Sequence, residues 1–286
     1  MSFYNRNMKN TLLTILVVLS SISFSWATDF CSRTQADILS VLESPMARIA
    51  FKNEGGLFNG GVCWWHSRLQ RSSVYLSRFA PEKPKPSAEA AKNILLALRK
   101  MSQTVTIPGY SDFISFTKDH QGIAQQILND WQTYDGVFNS EWRRGISGRS
   151  TLPAADLEKQ MRAVFEFTKT SPVPVWIMAQ MKGITSHAFL VVDMVQTGAG
   201  YDMKVIDSNV PGKTRRIQYR VGQTTVTVIG SDYAFIPYVG FQNDFRLITS
   251  AIKGACRSVL STVMDEFPEI QDGDIEYPAV QRQFPQ

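Results

Sequence analysis

Apolar residues recur at three- and four-residue spacing through the first half of the chain, the period of helices with one buried face. Residues 32–51 show it, with Ser32 as an N-cap, although Pro45 must kink or divide the element. The glycine pairs Gly55-Gly56 and Gly60-Gly61 interrupt the pattern, and a helix over 62–78 reopens with Cys63 in its first turn. A proline- and lysine-rich connector at 81–86 precedes a helix from Ser87 to about residue 102, with Glu89 in an acidic first turn. Two more helices are predicted over roughly 111–131 and 154–169.

From residue 171 the period changes. Short runs over 173–181, 187–195, 201–207, 215–221 and 224–229 are rich in valine, isoleucine and aromatics, and turn signals such as Lys182-Gly183 and Pro211-Gly212 separate them. Connections this short cannot make parallel crossovers, so an antiparallel meander is expected. A last helix is predicted from about 244 to 265, and residues 266–286 read as a loosely ordered tail. Helices first and antiparallel strands afterwards describe one α+β domain over 28–265, with a helical half at 28–170 and a sheet half at 171–265.

Composition changes this picture mainly at the N-terminus. The 286 residues are 44% hydrophobic and 19% charged, ordinary for a globular chain with a sizeable core. Residues 1–27 differ: Arg6 and Lys9 stand without an acid, residues 11–24 are apolar or small, and Ser25-Trp26-Ala27 offers a small-x-small cleavage site. That is the organisation of a secretory signal peptide, and its apolar run falls short of the roughly twenty residues a spanning helix needs. A secreted or periplasmic location is expected, with no membrane segment after cleavage. Removing Arg6 and Lys9 lowers the formal charge from +5 to +3, too mild to argue for nucleic acid. Basic clusters at Arg143-Arg144 and at Lys213, Arg215 and Arg216 read as solvated turns. No phosphate loop or paired Cys-x-x-Cys motif appears, so neither cofactor nor metal is expected. Oligomeric state is not legible.

The mature chain holds Cys31, Cys63 and Cys256, and in an oxidising compartment an odd number leaves one thiol over. A Cys31–Cys256 bridge would tie both ends of the domain across a loop of about 225 residues, where loop-closure entropy favours it. A Cys31–Cys63 bridge and three buried thiols are the alternatives. Cys63 has the least ordinary surroundings, because the first turn of a helix favours a thiolate. Of three histidines, His66 shares its helix at a spacing poorly suited to in-line proton transfer, and His120 lies on a polar face and reads as solvated. His187 opens an apolar strand, and Asp207 ends the next one. Antiparallel pairing of the two would set His187 beside Asp207, with Asn209 as an alternative orienter if the register shifts. Nucleophile, base and orienter then follow in chain order.

Cys63-Trp64 opening a helix after glycines, the strand beginning His187-Ala188-Phe189-Leu190-Val191, and Val205-Ile206-Asp207-Ser208-Asn209 ending the next resemble the three signature segments of papain-like cysteine peptidases. Lys52-Asn53-Glu54-Gly55 is similar to the segment that precedes the family's nucleophile. The resemblance, over roughly 52–209, implies a papain-like fold and a thiol hydrolase working through a thioester. Its substrates would by default be proteins or peptides; the expected signal peptide makes peptidoglycan stem peptides a second choice. The family's oxyanion-binding glutamine is missing; Asn59 is the candidate in its place, beside the backbone N–H of Cys63. Trp64, Trp65, Gly61 and Ser186 are candidates to line the substrate site. A transglutaminase-like acyl transferase has the same residue order and is expected if the sheet closes into a barrel. A catalytically inactive papain-fold binding module is the non-enzymatic alternative.

Overall fold

The computed structural model describes residues 30–57, 60–135, 148–170, 176–181, 185–239 and 244–257. The expected signal peptide, Asn59, the Arg143-Arg144 cluster and the tail 266–286 lie outside the described residues.

The helical half begins with α1 (Gln35–Glu43), capped by Thr34 and not by Ser32. Thr34 accepts from the Asp37 N–H while the Asp37 carboxylate accepts from the Thr34 N–H, a reciprocal box that sets the start. The helix predicted to run on to residue 51 stops at Glu43, because Ser44 caps a separate 3-10 turn at Pro45–Ala47 and the proline cannot continue α1. Next comes α2 (Cys63–Leu76), in which every residue except Arg68 is buried. This helix has no solvent face; the others wrap it.

Its polar residues therefore need partners. Gln70 accepts from the Ile49 N–H at 2.8 Å and donates to the Ala47 carbonyl. Ser72 and Ser73 donate to carbonyls of their own helix. The Arg71 guanidinium pairs with Asp244 at 2.6 Å.

The chain then forms β1 (Ser77–Ala80), α3 (Ala88–Lys100) and β2 (Val105–Pro108), and β1 and β2 pair in parallel from Ser77↔Val105 to Ala80↔Pro108. This small crossover unit was not expected; its four-residue strands are too short to show a period. Ser87 caps α3 as predicted, accepting from the Ala90 N–H at 3.2 Å. The helix predicted over 111–131 is two: α4 (Phe113–Asp119), capped by Asp112, and α5 (Gln121–Tyr134), which meet at His120. The half ends with α6 (Ala154–Thr170).

The second half is β3 (Trp176–Gln180), β4 (Ser186–Thr197), β5 (Gly200–Asp207), β6 (Thr214–Arg220), β7 (Val226–Val228) and β8 (Ala234–Val239), all antiparallel. Strand β8, absent from the sequence reading, pairs back onto β3 and closes the sheet into a six-stranded barrel. Alternation along β4 splits its side chains between two cores. Ala188, Leu190 and Val192 join the core around α2, while Phe189, Val191 and Met194 join the barrel core with Leu157, Met161 and Val164 of α6.

Helix α7 (Asp244–Cys256) returns to the helical half, where Cys256 bonds Cys31 with the two Cα atoms 5.6 Å apart. Helices gathered around α2 on one side and an antiparallel barrel on the other make the domain α+β.

Candidate active site

The site lies where the start of α2 meets the edge of the barrel. Pairing in β4–β5 sets Phe189 opposite Asp207, which carries the end of β5 toward His187, near the start of β4. His187 Nε2 lies 2.8 Å from Asp207 Oδ1. The Cys63 thiol also acts on the imidazole and favours its charged form. Cys63, His187 and Asp207 are 8%, 5% and 2% exposed, and Cys63 is the free cysteine while Cys31 and Cys256 are bridged.

Burial opposes a charge on the His187 ring, but the hydrogen bonds to Asp207 and Cys63 and the charges behind them outweigh it and raise its pKa to about 9. Burial likewise opposes the Asp207 carboxylate. The bond and charge of His187, the Asn209 N–H at 2.8 Å and the Arg215 guanidinium at 3.2 Å prevail and hold its pKa below the usual value. Arg215 is thus turned onto the site and does not sit in the solvated basic turn read from the sequence.

His66 comes close enough to feel the charges of His187 and Asp207, yet its Nε2–H points at the Phe51 carbonyl, 3.2 Å away. It is 2% exposed, and burial lowers its pKa to about 4, so the ring is neutral near pH 7. His120 is half-buried against Phe116 and Tyr110 and is not a solvated residue.

The amide of Asn209 does not orient the imidazole. Its Oδ1 accepts from Asn53 Nδ2 at 3.1 Å, and only the backbone N–H of Asn209 reaches Asp207. Trp64 and Trp65 are buried in the core around α2, and the Trp65 indole donates to Asp135 at 2.6 Å. Ser186 is half-buried at the start of β4, opposite Gln180. Gly61 adopts φ +83°, and a Cβ there would lie 2.6 Å from the Asn53 amide nitrogen, so glycine is required on both counts.

Two groups of contacts escaped the sequence reading. Asn53 binds the N–H of Val62, the residue before Cys63, and reaches Ser208 and Asn209 beyond Asp207. One face of α5 grips the loop ahead of Cys63. Asn129 accepts from the Gly56 N–H at 3.0 Å, and Gln132 accepts from Leu57 and donates to the Gly61 carbonyl at 2.8 Å. A polar spacing of three to four on α5 was the available signal, but it reads equally as a solvent face. No group of His, Cys, Asp or Glu suited to a metal ion occurs among the described residues. No helix among them is long and apolar enough to cross a membrane.

The arrangement brings together a thiol, a proton-carrying imidazole and a carboxylate, the elements of nucleophilic acyl transfer. Comparison with family models, with curated proteins and with solved structures found no match to this chain.

Proposed function

We propose that the protein is an extracytoplasmic thiol hydrolase of papain-like type, acting on peptide amides. The observation that carries this reading is the buried group Cys63, His187 and Asp207, with the imidazole 2.8 Å from the carboxylate and its charged form favoured by the Cys63 thiol. Sγ of Cys63 attacks the amide carbonyl, and the C–N bond breaks as the proton on His187 passes to the leaving amine. A thioester remains. His187 then takes a proton from water, the hydroxide adds to the thioester carbonyl, and the C–S bond breaks to release the acid and leave the Cys63 thiolate beside the protonated His187. Asp207 keeps the ring oriented and offsets its charge throughout. The Cys63 backbone N–H, at the first position of α2, is the oxyanion donor among the described residues. The Cys31–Cys256 bridge suits an oxidising compartment.

Closure of the sheet into a barrel favours a second reading, transglutaminase-like transfer of the acyl group to an amine instead of water. One experiment tests both. Purified protein with intact disulfide is incubated with a peptide library and with peptidoglycan fragments, with and without a primary amine, and products are read by mass spectrometry. Hydrolysed amides that vanish in Cys63→Ala support the hydrolase, and products carrying the amine support the transferase. Unchanged substrates, with no acyl group trapped on Cys63, would overturn both.

A further inference from the structure

We propose that Asn53 is a positioning residue that sets the gap between the Cys63 thiol and the His187–Asp207 pair by strapping the helical half to the barrel. This rests on the thiol-hydrolase reading of the same site.

Asn53 has three bonds that matter. Its side-chain Oδ1 accepts from the backbone N–H of Val62, so it holds the turn from which α2 and Cys63 start. Its Nδ2 donates to Asn209 Oδ1 at 3.1 Å, and its own N–H donates to the Ser208 carbonyl at 2.8 Å. Asn209 is held in turn, because its backbone N–H donates to Asp207 Oδ1 at 2.8 Å. The links close into a circuit: Cys63 to Val62 through the chain, Val62 to Asn53, Asn53 to Asn209, Asn209 to Asp207, Asp207 to His187, and His187 back to the Cys63 thiol.

The circuit spans the boundary between the halves, which Asn53 crosses by its backbone bond to Ser208 and by its side-chain bond to Asn209. Cys63 belongs to the helical half and His187 to the barrel, and a misplacement of about 1 Å at such a junction can cost on the order of a hundredfold in rate. An amide suits the position because it presents an acceptor and a donor at once, one to each half. Gly61 makes room for it, since a Cβ there would lie 2.6 Å from Asn53 Nδ2. A tie that only steadied the loop would need the Val62 bond alone.

The test uses Asn53→Ala, Asn209→Ala, the double variant and Asn53→Asp in the full protein. Both alanine variants keep the backbone bonds to Ser208 and Asp207. Two readouts are taken: kcat and KM on a substrate that Cys63 turns over, and the rate of Cys63 alkylation by iodoacetamide across pH. Since the other two cysteines are bridged, alkylation reports Cys63 alone.

Each single alanine variant is expected to lower kcat about tenfold or more, with KM within about twofold, and to slow alkylation near pH 6. The double variant should fall no further than the worse single one, because both cut the same strap. Asn53→Asp keeps the acceptor for Val62, and the Asn209 amide can turn over to donate to it, so it recovers part of the loss.

Wild-type kcat and alkylation in Asn53→Ala would overturn the proposal. So would additive losses in the double variant, or equal losses in the Ala and Asp variants that match their fall in thermal midpoint. Alkylation needs no substrate. Wild-type protein without Cys63-dependent turnover would therefore sink the hydrolase reading, while the alkylation series still decides the role of Asn53.

Discussion

His187 Nε2 and Asp207 Oδ1 stand 2.8 Å apart although twenty residues separate them, because antiparallel β4 and β5 fold the start of one strand beside the end of the next. The carboxylate gives the imidazole both an orientation and a preference for its charged form. The bond to Asp207 is the leading contribution raising the His187 pKa to about 9. Asp207→Asn keeps the shape and removes the charge. The alkaline limb of activity should move down from about 9 toward the ordinary histidine value, and kcat should fall on the order of a hundredfold or more. A pH–rate profile of wild type and variant reads both; an unmoved alkaline limb would mean that Asp207 does not tune the ring.

The two histidines nearest Cys63 should respond in opposite ways to replacement. His187→Ala removes the proton carrier and should abolish measurable turnover. His66→Gln keeps a donor for the Phe51 carbonyl and should retain kcat within about threefold, since a neutral ring bonded to backbone contributes no proton. Steady-state kinetics on folded variants decide; comparable losses would exchange the roles assigned to the two rings.

Stability should peak near pH 6.5. Between about 6.5 and 9 the folded protein holds more protons on His187 than the unfolded chain does, so stability declines as pH rises through that window. Between about 6.5 and 4 the unfolded chain binds protons that buried His66 refuses, so stability declines as pH falls. Thermal midpoints across pH 4 to 9 should trace a dome. His66→Gln should flatten its acid side, on the order of 5 °C at pH 4.5. An acid side unchanged in the variant would show that His66 does not carry it.

Arg68 and Arg71 of α2 both bond Asp244 of α7, at 2.7 and 2.6 Å, and the Arg71 side chain is fully buried. Burial and the adjoining Arg68 charge press the Arg71 pKa downward, and Asp244 opposes both. Asp244→Ala removes the carboxylate facing that buried cation and should cost about 3–5 kcal/mol. Denaturant unfolding with the disulfide intact measures it. A loss below about 1 kcal/mol would show that water reaches the arginines in place of the carboxylate.

Patterning alone revealed helices before strands, the α+β class, the opening of α2 at Cys63 and the Ser87 cap, because helix and strand periods and capping chemistry are local. Cysteine parity left one thiol over, and loop-closure entropy with the unusual surroundings of Cys63 favoured a Cys31–Cys256 bridge among the open pairings. The pairing of His187 with Asp207 was also legible, since a short hairpin admits few registers. Other features depended on three dimensions. Helix α2 carries serines, Gln70 and Arg71 inward, which no amphipathic pattern foretells; the serines bond their own helix, while Gln70 and Arg71 find partners in the segment around the 3-10 turn and in α7. The barrel closes through β8, a strand that the sequence pattern does not assign and that β3 pairs with in space. In one dimension Arg215 reads as part of a solvated turn, and Asn53 only as one residue of a segment similar to the papain-like family's pre-nucleophile stretch. Each becomes part of the site only when a residue far along the chain arrives opposite, because a hydrogen bond depends on distance in space and leaves no period in the sequence.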